Sequence, residues 1–213
     1  MFKYRRFAML LQNPFDAIST TGVDAIVLEV ITRANNSYTL SQIFKLQRGK
    51  ASRTSLRASL ARFVQRGVVT ESQFGNTYSY ELNRDHLLYA PLIQIASSKE
   101  RFFELIRQEV GRWPVRPMTV QLFGSAARGE MTLDSDIDLL VVVPDGWDDA
   151  EKHVGQLAQD ASAWTGNDVR PLFYFEQDLA DEPILRNIEK DGISVVGEWG
   201  WLRNKLRKIR RAA

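Results

Sequence analysis

The stretch MTVQLFGSAARGEMTLDSDIDLLVVVP, Met118–Pro144, decides how the second half of this chain folds. Thr119–Phe123 reads as a short strand, Gly124-Ser125 breaks it, and Ala126-Ala127-Arg128 starts a helical turn. After a polar loop, Asp136–Val143 predicts a second strand, buried on both faces toward its end. Asp136 and Asp138 are two apart, so on a strand both carboxylates leave one face about 6–7 Å apart along the chain. Two such anions repel unless a cation sits between them, and a hard cation such as Mg²⁺ prefers oxygen ligands. Gly124 lets a ligand approach the backbone closely. The amides of residues 125–127 at a helix start, with the Ser125 hydroxyl, form an anion cradle. A phosphate cradle beside a metal-binding carboxylate pair is what phosphoryl or nucleotidyl transfer requires.

Gly124-Ser125, ten residues, then Asp136-Ile137-Asp138 resembles the signature of the DNA polymerase beta-like nucleotidyltransferase superfamily. The surrounding GSAARGE and DSDIDLLVVV look like its minimal nucleotidyltransferase branch. The resemblance implies that Gly124 and Ser125 hold the nucleotide phosphates, that Asp136 and Asp138 ligate Mg²⁺, and that Arg128 is a cation near the triphosphate. The nucleoside triphosphate expected is ATP, and the acceptor is a hydroxyl. In that family a third carboxylate on a later strand usually completes the catalytic set and can take the proton of the attacking hydroxyl. Here the strand expected over Asp168–Phe175 has an acid-free interior, and Arg170 stands where an acid belongs. Asp168 is the candidate third carboxylate. Without one, the domain could bind nucleotide and turn over slowly or not at all.

Outward from this motif, the rest of the C-terminal half predicts a small mixed-sheet α+β domain. Residues 149–164 place Val154, Leu157, Ala158, Ala161 and Trp164 on one helical face, with Gly166 at the end. Residues 178–190 predict another helix with Ile184, Leu185 and Ile188 inward, and Ile193–Val196 a last short strand. The tail from Trp199 carries six cations and reads as a solvated terminus, with a frayed helix or a nucleic-acid contact as alternatives.

Upstream the chemistry changes. Residues 22–34 recur at helical spacing through Val23, Ile26, Val27, Val30 and Ile31; Thr39–Leu46 gives a short second helix; Ser52 caps a third running to about Arg66. Val68–Ser72 and Tyr78–Leu82 alternate as strands around Phe74-Gly75-Asn76. Three helices followed by a hairpin form the winged helix-turn-helix arrangement. From Ile31 to Thr70 there are eight basic residues and no Asp or Glu. Thr54, Ser55 and Arg57 are the base-edge candidates, and Lys45, Lys50 and Arg53 the phosphate candidates, for DNA in the major groove. Pro91 interrupts the following segment, and a helix capped by Ser97 or Ser98 bridges the halves.

The boundaries expected are a winged helix over 1–90, a bridge and Pro-containing linker over 91–117, the nucleotidyltransferase domain over 118–197 and a basic tail over 198–213. Charge supports the division. Residues 1–113 carry 16 Lys and Arg against 9 Asp and Glu, whereas 114–202 carry 6 against 17. The sequence contains no cysteine, which excludes disulfides, zinc-thiolate sites and thiol nucleophiles. No apolar run approaches the roughly 20 residues that span a bilayer, so the expectation is a cytoplasmic protein without membrane contact. Besides DNA and a nucleoside triphosphate, the expected partners are a hydroxyl acceptor, a protein, or a second copy in a homodimer. Two other functions fit the same residues: a transcription regulator whose degenerate fold senses nucleotide, and an antitoxin-like protein that binds a partner.

Overall fold

The computed structural model describes residues 9–19, 21–33 and 36–212. The chain divides into two compact units, one of Asn13–Lys99 and one of Glu100 onward together with residues 9–12.

In the first unit, a 3-10 turn at Pro14–Ala17 precedes α1 (Gly22–Thr32), whose N-terminus is capped by the Thr21 hydroxyl. Residues 34 and 35, where the sequence places the end of this helix, lie outside the described residues. Tyr38–Thr39 forms β1, a two-residue strand absent from the sequence reading. Thr39 and Gln42 then make a reciprocal capping box that starts α2 (Leu40–Leu46). Ser52 caps α3 (Arg53–Gln65) by accepting from the Ser55 amide. The hairpin is β2 (Val69–Phe74) and β3 (Thr77–Leu82), joined at Gly75-Asn76, where Gly75 takes the left-handed φ that the reversal requires. The sheet order is β1-β3-β2, antiparallel throughout. Ala25, Val27, Ile31, Ile43, Leu56 and Leu60 fill the core beneath it. Burial pushes the Asp24 carboxyl up, but hydrogen bonds from Ser59, Arg62 and Thr21 outweigh this and hold it below the ordinary carboxylate range.

Pro91 does not interrupt the chain. It is the third residue of α4 (Tyr89–Ala96), a first-turn position where the missing N–H would have had no helical acceptor. A further helix, α5 (Ser98–Val110), follows.

The second unit is built on the sheet order β6-β5-β4-β7. Its elements are β4 (Thr119–Phe123), α6 (Gly124–Arg128), β5 (Ile137–Val143), α7 (Ala150–Thr165), β6 (Val169–Phe175), α8 (Pro183–Asp191), β7 (Ile193–Gly197) and α9 (Trp201–Ala212). β5 pairs parallel with β6, and β4 antiparallel with both β5 and β7. The odd-numbered residues of β5, with Val120 and Leu122, pack with Ile106 of α5 and with Val154 and Leu157 of α7. Leu140 and Val142 point the other way, against Leu185 and Ile188 of α8 and Leu202 and Leu206 of α9. β5 is therefore covered on both faces, and each fully buried Val or Leu contributes about 1.5–3 kcal/mol relative to exposure.

Two expectations change here. The apolar spacing over residues 178–190 predicts Ile184 inward with Leu185 and Ile188, yet α8 begins only at Pro183 and leaves Ile184 exposed. The basic tail is also no solvated terminus. α9 buries Leu202 and Leu206, while Lys205 pairs with Glu176 and Arg210 pairs with Asp181 and Glu189. Its cations at these positions neutralise the acidic surface beneath, which the residue count alone could not locate.

Candidate active site

The turn from β4 into α6 is forced by its residues. Gly124 has φ +69°, the left-handed region that an L side chain enters at a cost of about 1–2 kcal/mol. Its missing Cβ matters as much as its backbone freedom. A Cβ there would lie far inside contact distance of the Asp138 Oδ2, and 3.4 Å from the Asp138 Cγ. The carboxylate of Asp138 thus sits directly over the glycine. The antiparallel register agrees, since it places Phe123 opposite Asp138. Ser125 is partly buried, and its hydroxyl makes no hydrogen bond to another described side chain or backbone group, which leaves it free for a ligand. Gly129, also left-handed, ends α6.

Asp138 is the one ionisable residue in a strand whose other members are buried. Burial, and then the neighbouring Asp136, push its carboxyl above the ordinary range, while Arg170 pulls it partly back. An anion held this way attracts a cation. Asp136 itself precedes the strand rather than opening it, because β5 begins at Ile137. Its Oδ2 accepts an ion pair from Nη1 of Arg170 at 2.7 Å. Nε of the same arginine lies 3.3 Å from the Asp168 Oδ2. The parallel register sets Arg170 beside Asp138, on the sheet face that Leu172 and Tyr174 also use. Among the described residues no group of three or more His, Cys, Asp or Glu side chains is gathered as a metal site. Asp168 is therefore not assembled with Asp136 and Asp138 into a three-carboxylate set; the Arg170 guanidinium stands between them. Arg128 is paired through Nε with Glu130 at 2.7 Å, and that hydrogen bond strengthens its hold on its proton.

The residues fit one divalent cation. Two carboxylates, one of them half-buried and short of positive charge, meet the usual protein share of a Mg²⁺ shell, which water and substrate phosphates complete. On the same sheet face a cavity of about 140 Å³ is lined by Gln121, Lys190, Ser194, Trp199 and Arg203, among others. Trp199 is 84% exposed, with the Arg203 guanidinium 5.8 Å from its ring centre. The sequence reading placed Trp199 and Arg203 in the basic tail and did not bring them together with Gln121, Lys190 and Ser194; that grouping is displayed only by the structure.

Residues 103–195 match the nucleotidyltransferase domain family. That match spans less than half of the chain and contains Gly124, Ser125, Asp136, Asp138 and Asp168. The match supports a nucleotidyltransferase domain over these residues, and with it the reading of the chain as an enzyme. No curated protein matches the sequence. Among solved structures, it is similar to a toxin-antitoxin complex with AMP-PNP at 19% identity, over 53% of this chain and 85% of that one, with a TM-score of 0.40. A chain from the Shewanella oneidensis complex of tri-AMPylated HEPN toxin with MNT antitoxin is 18% identical over 53% and 84%, with a TM-score of 0.38. TrmBL2, an archaeal chromatin protein described with a mode of DNA binding, is 13% identical over 76% and 80%, with a TM-score of 0.30.

In the first unit, the DNA candidates are distributed as follows. Lys45, Lys50, Arg53, Thr54 and Arg57 are exposed. Ser55 is committed elsewhere: its hydroxyl lies 2.9 Å from the Ser52 carbonyl and 3.0 Å from the Ser52 hydroxyl. Arg53 stacks over Phe44 at 4.8 Å. Arg53 and Arg57 line a cavity of about 610 Å³ with Glu71, Tyr78 and Tyr80 between α3 and the hairpin. Burial and a hydrogen bond with Glu71 push the Tyr80 hydroxyl up to about 12.

Proposed function

We propose that the chain is a Mg²⁺-dependent nucleotidyltransferase that moves a nucleoside monophosphate from a nucleoside triphosphate, ATP first, to a hydroxyl acceptor. The observation that carries the reading is the seat of Asp138 over Gly124 with Asp136 beside it, inside the stretch that matches the nucleotidyltransferase domain. Asp136 and Asp138 would hold the metal ion, and the chemistry it would supply there is positive charge for the phosphate oxygens. The Ser125 hydroxyl and the amides that follow Gly124 grip the phosphates. The acceptor oxygen forms its bond to the α-phosphorus, pyrophosphate leaves, and Asp168 is the carboxylate left to receive the hydroxyl proton. Arg128 is held by Glu130 through Nε, an exposed pair that costs little to open, and its two Nη groups remain to meet the triphosphate.

The first unit reads as a winged helix in this proposal, with α3 as the helix offered to the major groove and the β2–β3 hairpin as the wing. The exposed Lys45, Lys50, Arg53, Thr54 and Arg57 carry that reading. A second reading is favoured by one observation, the guanidinium of Arg170 between Asp136 and Asp168. It would make the domain a nucleotide sensor in a transcription regulator.

Incubation of the full chain with α-labelled ATP, Mg²⁺ and cell extract should label an acceptor, and the Asp136→Ala, Asp138→Ala double variant should not. Equal labelling by that variant would end the catalytic reading. Nucleotide binding without pyrophosphate release, joined to nucleotide-dependent DNA affinity, would select the sensor.

A further inference from the structure

Asp136, Asp138 and Asp168 contribute three negative charges around the start of β5 and β6, and Arg170 contributes one positive charge, for a local balance of −2. The register that sets Arg170 beside Asp138 makes position 170 the place from which another carboxylate would face the same space. With an acid there the balance would be −4. One divalent cation neutralises the first arrangement and two the second. The Arg170 guanidinium can leave Asp136 by moving, because its side chain is 63% exposed and its ion pairs are of the solvent-screened kind.

We infer that Arg170 is a resident counter-cation of this site: held by Asp136 and Asp168, it occupies the position from which a further carboxylate would serve a second divalent ion, and it must swing off Asp136 before the first ion binds. The inference rests on the reading of Asp136 and Asp138 as metal ligands given above, and it assigns Arg170 a charge-setting role rather than contact with the reacting atoms. In the absence of nucleotide, metal affinity is held down by a competing cation. A triphosphate arriving with its own negative charge gives the guanidinium a second anion to pair with and frees Asp136.

The test is a Mn²⁺ titration of the full chain without nucleotide, read as the loss of the free-ion electron paramagnetic resonance signal. Wild type should bind one Mn²⁺ at this site. Arg170→Gln should still bind one, about tenfold more tightly, the size expected from removing a single screened charge at contact distance. Arg170→Lys keeps the charge and should stay with wild type. Arg170→Asp should bind two. A wild type that binds two ions, or an Arg170→Gln variant with unchanged affinity, would overturn the inference. So would an Arg170→Lys variant that tightens as much as Arg170→Gln. Should Arg170→Asp fail to fold, the Gln and Lys variants decide alone. Failure of the underlying reading looks different: the Asp136→Ala, Asp138→Ala variant would then bind Mn²⁺ as wild type does.

Discussion

Replacing Gly124 by alanine separates two consequences that the structure assigns to this one residue. The first is backbone strain. At φ +69° an L residue costs about 1–2 kcal/mol, and the reduced freedom of the unfolded chain returns about 0.4–1 kcal/mol. The net loss is about 1 kcal/mol, which moves a urea midpoint down by about 0.5 M at a slope near 2 kcal/mol/M. The second is displacement. The new Cβ would stand 3.4 Å from Cγ and 3.7 Å from Cβ of Asp138 and would overlap its Oδ2, so the carboxylate has to turn away from the turn it covers. Gly129 supplies the control. Its φ is +70°, but its added Cβ would meet only the Cβ of Gln12 at an ordinary 3.7 Å. Gly129→Ala should therefore lose the same stability and leave the site intact. All five tryptophans lie at or after Trp113, so intrinsic fluorescence during urea unfolding reports on the unit that holds the site. Titration with a non-hydrolysable ATP analogue and Mg²⁺ then reads the second consequence. Gly124→Ala should weaken binding by about tenfold or more, equivalent to about 1.4 kcal/mol, while Gly129→Ala matches wild type. Equal binding by the two variants would refute the argument that Asp138 needs the bare glycine beneath it.

Three further outcomes follow from other parts of the molecule. Asp138→Asn should raise the urea midpoint at neutral pH. Because burial and Asp136 lift the folded-state carboxyl above its unfolded value, wild-type stability falls as pH rises between the two and the penalty is fully present above both. The gap between variant and wild type should close below about pH 4, where the residue is protonated in both states; an Asn variant less stable at pH 7 would contradict this. Leu206→Ala in the last helix should cost about 2–5 kcal/mol, because this side chain is fully buried, whereas Arg207→Ala on its exposed side should stay within about 0.5 kcal/mol. If six cations of the first unit meet phosphate, duplex-DNA affinity measured by fluorescence anisotropy should fall with salt at a logarithmic slope of about −5, and Lys50→Ala should reduce that slope by about 1. A wild-type slope near −1 would remove DNA from the account.

The elements legible in the sequence are those whose signal is local. α3 follows from Ser52 and a 3.6-residue apolar stripe, and β4, the Gly124 break and most of β5 from one continuous run. Pro91 misled because a proline in a first helical turn and one that ends a helix look alike without the capping geometry. β1 is too short to carry an alternation and exists only because β3 offers it an edge. α9 looked solvated because the acids that neutralise it, Glu176, Asp181 and Glu189, lie up to 29 positions upstream. The site shows the same limit. Gly124, Ser125 and the Asp pair can be read from spacing and resemblance, and so can the missing acid at position 170. The ion pair from Arg170 to Asp136 depends on the parallel pairing of β5 with β6, across a helix, and no local pattern encodes that, whereas its pair with Asp168 joins residues two apart.

Residues 9–12 belong to the unit whose other residues begin at Glu100. There Leu11 is buried, the Met9 amide donates to the Asn167 side chain, and the Gln12 amide group donates to the Met131 carbonyl. The polypeptide accordingly crosses from one unit to the other twice, at 12–13 and again at 99–100. A protease that nicks the second crossing would not release the catalytic fragment cleanly, since the amino-terminal strap would still hold it by packing and hydrogen bonds. Expression of residues 100–213 alone would leave a raw apolar slot where Leu11 inserts, so a faithful isolated fragment would need those few residues grafted back, for example by circular permutation.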